Sequence, residues 1–304
     1  MSAILMEGKL VGRDILLKVR EDARILTQMG SVPCIATMRI GNDLGSISYE
    51  KSINSSMGRS HICVVNRVFD LDITYEQFVE ELNKLNEDST IHAVLIFKPL
   101  PAQINLEEIK YILAPEKDPD SMNPVNMGKL LTTDRMGFYP CTAEGVMKML
   151  DYYMIDVKGK DVVIVNNSAV LGKPLSIMLT DRYATVTMCH AYTKDLGSFT
   201  RKADIVVSAV GKYGLITPDM LREEAILIDV AMSEMKETDA NLVRADSGRK
   251  IRAGDARIDC REKVAMITSA TPGCGGGTGP ITTALLAEHV IRACRMQQKA
   301  KKRA

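Results

Sequence analysis

Short apolar runs separated by stretches of helical period recur along this chain, and that alternation constrains its fold more than any other feature. Strands and helices in this rhythm are joined by crossovers, which gives a parallel sheet covered by helices. In the first half, residues 34–40, 62–69 and 91–97 read as strands, and 46–60 and 75–86 as helices, the second with Phe78, Val79 and Leu82 on one face. Residues 98–131 form a loop of mixed character containing Pro99, Pro101, Pro119 and Pro124. So long a connection either binds something or is poorly ordered; binding is expected, because ligands of open parallel sheets sit beyond the carboxyl ends of the strands. After Pro140 a helix over 143–153 reads as a bridge between domains. Strands at 161–165, 184–189, 203–209 and 225–230 then make a doubly wound sheet, followed by a charged surface excursion over 233–252. A strand at 264–268, a glycine-rich segment and a helix over 281–294 come last, before a basic, frayed tail from Lys299. The fold class is α/β, and 304 residues suffice for two domains with separate cores.

Charge and cysteine usage narrow the partners. Lys and Arg total 39 against 38 Asp and Glu, so no global field draws the chain to nucleic acid or an anionic membrane; small molecules are expected instead. The seven cysteines are odd in number, scattered and never spaced as paired metal ligands, which suits reduced thiols in a cytoplasmic protein without a bound metal. No apolar run approaches the roughly 18 residues of a membrane span.

The loop from Asn166 to Gly172 lies between a strand and a helix, where a helix N-terminus favours anions. The usual G-x-G-x-x-G is absent and only its last glycine has a counterpart, Gly172. Ser168 and the side chains of Asn166 and Asn167 offer donors to a phosphate, and Pro174 suits the first helical turn. By itself this is a plain strand-to-helix turn. The strand end at 207–211 adds a second clue, since Ala209 and Gly211 are small enough for a flat cofactor to pass over the sheet.

Several separate motifs in order give the chain its resemblance. They are Ser46 with Tyr49, Pro99 Leu100 Pro101, Lys117 Asp118 Pro119 Asp120, Asn126 with Gly128, and Pro140 Cys141 Thr142 with Gly145. Ser168 with Gly172 and Pro174, Gly254 Asp255, and Pro272 Gly273 closing on Gly279 Pro280 complete the set. Over nearly its whole length the chain resembles the methylenetetrahydrofolate dehydrogenase/cyclohydrolase family. The resemblance implies an N-terminal α/β folate-binding catalytic domain, 1–140, completed by the C-terminal helix 281–304, and a Rossmann-like dinucleotide-binding domain over 141–280. It implies folate in the cleft between them, and a homodimer. Tyr49 would stack on the aminobenzoyl part of the tetrahydrofolate substrate and Asp120 would hydrogen-bond its pterin. Phe97, Pro99, Leu100, Pro272 and Gly273 would wall the folate pocket. Thr142, Ser168, His190, Met232 and Thr282 would line the dinucleotide, although a histidine at a strand end is more often a surface or cap residue.

Departures from the family pattern shape the functional expectation. Bifunctional members carry a lysine four residues after the tyrosine for the cyclohydrolase step, supported by a glutamine two residues before the first proline of Pro-Leu-Pro; here these places hold Ile53 and Phe97. Lys51 is about 200° round the helix from Tyr49 and Lys98 neighbours Phe97 on a strand end, so both are expected on the solvated side. NADP-dependent relatives meet the 2′-phosphate with arginine or serine at the places of Asn167 and Ala191, neither charged here. The expected function is therefore oxidation of methylenetetrahydrofolate to methenyltetrahydrofolate by hydride transfer to NAD, with little or no cyclohydrolase activity. Two alternatives stand beside it: a bifunctional NADP-dependent enzyme rescued by Lys51 or Lys98, and a folate- or nucleotide-binding protein without turnover. The glycine segment is longer than the family's, and is expected to be either a mobile lid or a slack connector with an incidental Cys274.

Overall fold

The computed structural model describes residues 3–132, 134, 136–235 and 251–301. It divides into two compact units: Met1–Gly12 with Thr142–Thr282, and Arg13–Cys141 with Thr283–Ala304. The division falls inside three helices, α1 (Gly8–Gln28), α6 (Cys141–Tyr152) and α9 (Gly279–Lys301).

The unit that holds Arg13–Cys141 is built on a parallel three-stranded sheet in the order β3 (Cys63–Phe69), β2 (Cys34–Ile40), β4 (Ala93–Ile96). Helices α2 (Leu44–Arg59) and α3 (Tyr75–Glu87) are its crossovers. The chain runs from β2 to a neighbour on one side and then to one on the other, so β2 is the switch point and its carboxyl end faces a crevice. Alternation along β2 divides its side chains. Cys34, Ala36, Met38 and Ile40 join the core made with Phe78, Leu82 and Ile109, which leaves Ile35, Thr37 and Arg39 for the opposite face.

Residues 98–131 are not the irregular loop expected. They contain α4 (Leu106–Ile112), a 3₁₀ turn at Pro115–Lys117 and α5 (Pro124–Leu131). Asn105 accepts from Glu107 N and Asn123 from Val125 N, capping the two helices, and Pro124 stands at a first-turn position where its missing N–H is harmless.

The second unit has a six-stranded, all-parallel sheet in the order β1 (Ile4–Leu5), β11 (Met266–Thr268), β8 (Ile226–Asp229), β7 (Ile205–Ser208), β5 (Asp161–Val165), β6 (Thr185–Cys189). Helices α7 (Gly172–Thr180) and α8 (Leu196–Thr200) follow β5 and β6. The sheet is doubly wound and Rossmann-like, with its switch point at β5. Residues 1–12, expected with the first domain, belong here because β1 pairs with β11. Of the charged stretch 233–252, β9 (Ser233–Glu234) pairs antiparallel with β10 (Arg252–Ala253); residues 236–250 lie outside the described set. The expected frayed tail is helical as far as Lys301, and residues 302–304 lie outside the described set. No helix among the described residues is long and apolar enough to cross a membrane.

Candidate active site

The strand end beyond β4 and the start of α2 bring three of the expected residues together. Phe97 is buried and meets the Tyr49 ring edge-on, centroids 5.8 Å apart at 89°. Asp43 caps α2, accepting from Ser46 N at 2.8 Å, and the Ser46 hydroxyl lies 3.0 Å from the Lys98 carbonyl, which ties the helix start to the strand end. Tyr49 keeps 36% of its surface exposed. Burial of its phenol, then the nearby Asp120 and Cys141, lift its pKa above the usual range, so it stays neutral. Asp120 accepts from Cys141 N at 2.8 Å. Burial raises its carboxyl, against the Cys141 bonds and the neighbouring His289 and Lys98.

Other expected substrate residues sit differently. Pro99 is exposed, whereas Leu100 is half-buried and packs on the core of the three-stranded sheet. Lys51 and Lys98 are exposed as expected, yet the charge of Lys98 is felt by Asp120. Ile53 is fully buried on the face of α2 that also buries Ser46, Glu50, Ser56 and Met57.

The Lys-Asp-Pro-Asp run divides its labour. The Lys117 ammonium is buried and donates to the Leu85 and Asp88 carbonyls at 2.8 and 2.7 Å, while Asp118 accepts from Asn123 N at 2.7 Å and Asn126 Nδ2 at 3.2 Å. These two residues build the turn that presents Asp120. His289 on α9 was not anticipated. Its Nδ1 lies 2.6 Å from the Pro119 carbonyl and 3.6 Å from Cys141 Sγ, bracing the peptide that precedes Asp120. A histidine in the middle of an apolar helix was the available signal.

In the Rossmann-like unit the loop after β5 is organised by Asn166. Its Oδ1 accepts from Ser168 N at 2.8 Å, Ser168 Oγ at 2.7 Å and Gly172 N at 3.0 Å, and its Nδ2 donates to the Ala209 carbonyl at 2.6 Å. The Asn166 amide is therefore a tie within the protein rather than a donor awaiting phosphate, which corrects the sequence expectation. The start of α7 is likewise engaged, because Gly172 N and Lys173 N are bonded and Pro174 has no N–H. No described group accepts from the N–H groups of Asn167, Ala169 or Val170, so the loop backbone rather than the helix end is left to meet an anion. A Cβ on Gly172 would fall on the Asn166 carbonyl, so this close approach requires glycine. Gly211 has φ 84° and packs near the Met232 carbonyl. His190 acts as a turn cap, its Nδ1 accepting from Tyr192 N at 3.2 Å; it and Ala191 are exposed. Thr142 and Thr282 are half-buried and belong to this unit, as do Pro272 and Gly273. Small residues, open backbone donors and a glycine-only approach fit a dinucleotide.

Two buried carboxylates hold this cradle in place: Asp255 of the Gly254 Asp255 motif, and Asp229, which stands in no motif. Asp255 accepts from Ser208 Oγ at 2.5 Å and from the N–H groups of Val210, Gly211 and Lys212 at 2.7, 2.8 and 2.7 Å. Asp229 accepts from Ala256 N at 2.8 Å and Ser269 Oγ at 2.7 Å. Burial lifts the Asp229 carboxyl from 3.8 to about 6, outweighing its hydrogen bonds. The native state then holds this proton more tightly than the unfolded chain does. Its contribution to stability is complete below about pH 4 and is lost as pH rises through 6, a change on the order of 3 kcal/mol. Urea midpoints measured from about pH 4 to pH 6.5 should carry this decline, and Asp229→Asn should flatten it. Equal slopes for the two proteins would contradict the assignment.

The glycine segment packs closely against the rest of this unit. Gly273, Gly275, Gly276 and Gly277 all have positive φ, Ser269 N donates to the Cys274 carbonyl at 2.6 Å, and a Cβ on Gly275 would meet the Met6 carbonyl at 2.5 Å. Cys274 is buried there, its thiol pushed up to about 11 by desolvation.

Family models place this geometry. The NAD(P)-binding domain of tetrahydrofolate dehydrogenase/cyclohydrolase matches residues 140–298, and the catalytic domain of the same enzymes matches residues 6–120. The chain belongs to the tetrahydrofolate dehydrogenase/cyclohydrolase family. It is 38% identical to the bifunctional protein FolD of Alkaliphilus oremlandii over 96% of this chain and 98% of that protein. The crystal structure of the bifunctional FolD of Campylobacter jejuni superposes with TM-score 0.88 at 33% identity, covering 97% of this chain and 99% of the other. The Trypanosoma brucei methylenetetrahydrofolate dehydrogenase-cyclohydrolase, solved with NADP and an inhibitor, gives 0.88 at 28% identity over the whole of both chains.

Proposed function

We propose that the chain oxidises 5,10-methylenetetrahydrofolate to 5,10-methenyltetrahydrofolate, passing hydride to a nicotinamide dinucleotide. The cluster of Tyr49, Phe97 and Asp120 carries the reading: a neutral aromatic face beside a half-buried carboxylate suits a flat, amide-rich ligand. The dinucleotide, when bound, supplies the hydride acceptor. The protein's part is to orient: Tyr49 by stacking, Asp120 by accepting from the pterin edge, and the loop from Asn166 to Gly172 by meeting phosphate with backbone N–H groups.

Two readings of the hydrolytic half compete. The relatives are bifunctional by name and one was solved with NADP, so the comparisons favour a bifunctional, NADP-dependent enzyme over an NAD-specific dehydrogenase alone. Against hydrolysis stands the feature particular to this chain: Ile53 is wholly buried and Phe97 presents a ring to Tyr49, so neither can move a proton. Assistance of that kind is typically worth ~10² to 10⁴ in rate. For the cofactor, the uncharged Asn167 and Ala191 weigh toward NAD.

One preparation, assayed with NAD and with NADP and followed for both methenyl and formyl products, tests all of this. Reduction of dinucleotide that depends on methylenetetrahydrofolate is expected, with formyl product forming at the buffer rate; no reduction sinks the proposal, and rapid formyl production selects the bifunctional reading. A sharper probe is Ile53→Lys. With Phe97 still in place the single change should leave hydrolysis within about threefold of wild type, whereas pairing it with Phe97→Gln should raise hydrolysis by about tenfold or more. Robust hydrolysis from the single change would show that the pair is not a unit.

A further inference from the structure

Beneath α2 the fold buries an ion pair that the proposed chemistry does not use. Arg39 Nε on β2 and Glu50 Oε2 on α2 are 3.0 Å apart, their side chains 10% and 9% exposed. The Thr37 hydroxyl, on the same face of β2, lies 3.4 Å from Glu50 Oε1 and 2.9 Å from Asn66 Oδ1 on β3, and Arg39 Nη1 donates to the Gly41 carbonyl. Glu50 is thus held from two positions of one strand.

Stability alone does not call for such a pair. Removing two charges from water costs about as much as their attraction returns, and apolar residues of similar volume usually hold two elements as well or better. Ile53 and Met57 already supply apolar contact on the same face of the helix. What a guanidinium and a carboxylate add is direction: their hydrogen bonds have fixed geometry, whereas apolar surfaces can slip. The placing of this pair gives direction a use. Ser46 pins the first turn of α2 to the Lys98 carbonyl, Glu50 pins the next turn to β2, and Tyr49 lies between the two pins. A turn of the helix by about 10° would carry a side chain at its surface, about 5–6 Å from the axis, through about 1 Å. Misplacement of that size can cost a binding or catalytic group up to about a hundredfold.

We propose that Arg39 and Glu50 are positioning residues that set the rotation of α2 and thereby place the Tyr49 ring against Phe97 for the folate. The proposal rests on the folate reading of Tyr49. The variant that isolates it is Arg39→Met with Glu50→Leu, which removes both charges and keeps apolar volume; Arg39→Lys, which keeps the charge and loses the fork, is the second. The double variant is expected to unfold at or above the wild-type urea concentration, to raise the KM for methylenetetrahydrofolate about tenfold, and to leave the KM for dinucleotide within about twofold. Arg39→Lys should raise the folate KM by a smaller factor. A purely structural pair would shift the urea midpoint and leave the folate KM alone, and unchanged folate KM in both variants overturns the proposal. A crystal structure of the double variant gives a readout without any ligand. The Tyr49 ring should have left its 5.8 Å edge-on contact with Phe97, and an unmoved ring overturns the proposal even if wild-type protein never turns folate over. Failure of the wild-type assay, by contrast, counts against the folate reading only.

Discussion

Asp120→Asn should lower kcat/KM for methylenetetrahydrofolate by about tenfold while the protein remains as stable as wild type to within about 1 kcal/mol. The asymmetry comes from the two oxygens. One accepts from Cys141 N at the start of α6, and the asparagine carbonyl can take over that bond. The carboxylate charge, which an amide lacks, is what gives a hydrogen bond to the pterin its extra strength; bonds to charged groups are worth ~1.5–3 kcal/mol against ~1 for neutral ones. Burial works against that charge and the surroundings keep it: Cys141, His289 and Lys98 all favour the ionised form. Asp120→Ala is the less informative change, because it also leaves the buried Cys141 N–H without its partner and so loses ~1–3 kcal/mol of stability. Steady-state kinetics with a urea titration on the asparagine variant decide the matter, and wild-type kcat/KM there would remove Asp120 from the site.

Gly254→Ala should damage the Rossmann-like unit severely. A Cβ built there falls inside the Asp229 carboxylate and against the Ser269 hydroxyl, both fully buried. Neither can retreat without breaking bonds, since Asp229 is held by Ala256 N, Ser269 Oγ and Ala231 N, and Gly254 N itself donates to Thr271 Oγ1 at 3.0 Å. The next residue, Asp255, gathers the three N–H groups after β7, so displacement at 254 is passed directly to Gly211. Overpacking of a rigid buried site, with loss of hydrogen bonds, amounts to about 3 kcal/mol or more, or roughly 6–12 °C in Tm for a protein of this size. Dinucleotide affinity should fall at least tenfold with it. A variant that melts within about 2 °C of wild type would mean that the carboxylate network yields easily.

What was legible in the sequence followed from periodicity and from motifs. Strands such as Asp161–Val165 and helices such as Tyr75–Glu87 announced themselves because burial of one face or both dictates their apolar pattern. Helix α5 was hidden by Pro124, which reads as a breaker although it stands at a helix start, and α4 by its seven-residue length, too short to show a clear period. Strand β1 was invisible for another reason: two residues carry no period, and only the pairing with Met266 and Ile267 makes them a strand. Tyr49, Phe97 and Asp120 each stand in or beside a motif and the structure makes them neighbours, whereas the partners of Asn166 are not legible in the sequence. An amide that serves its own loop and one that awaits a ligand look alike until their partners are placed. The Asp255 knot and His289 were missed because their partners are backbone groups distant in sequence.

The placing of β1 also bears on how such a molecule comes into being. Ile4 and Leu5 leave the ribosome some 260 positions before β11, the strand against which they must lie. This edge strand of the six-stranded sheet is therefore made well before it can be seated, and until then β11 offers an unpaired edge. Nor can the dinucleotide unit be excised as one contiguous piece. A fragment spanning 142–282 would lack that border strand and be prone to self-association, whereas a circular permutant that joins the first dozen residues behind 282 would carry its own.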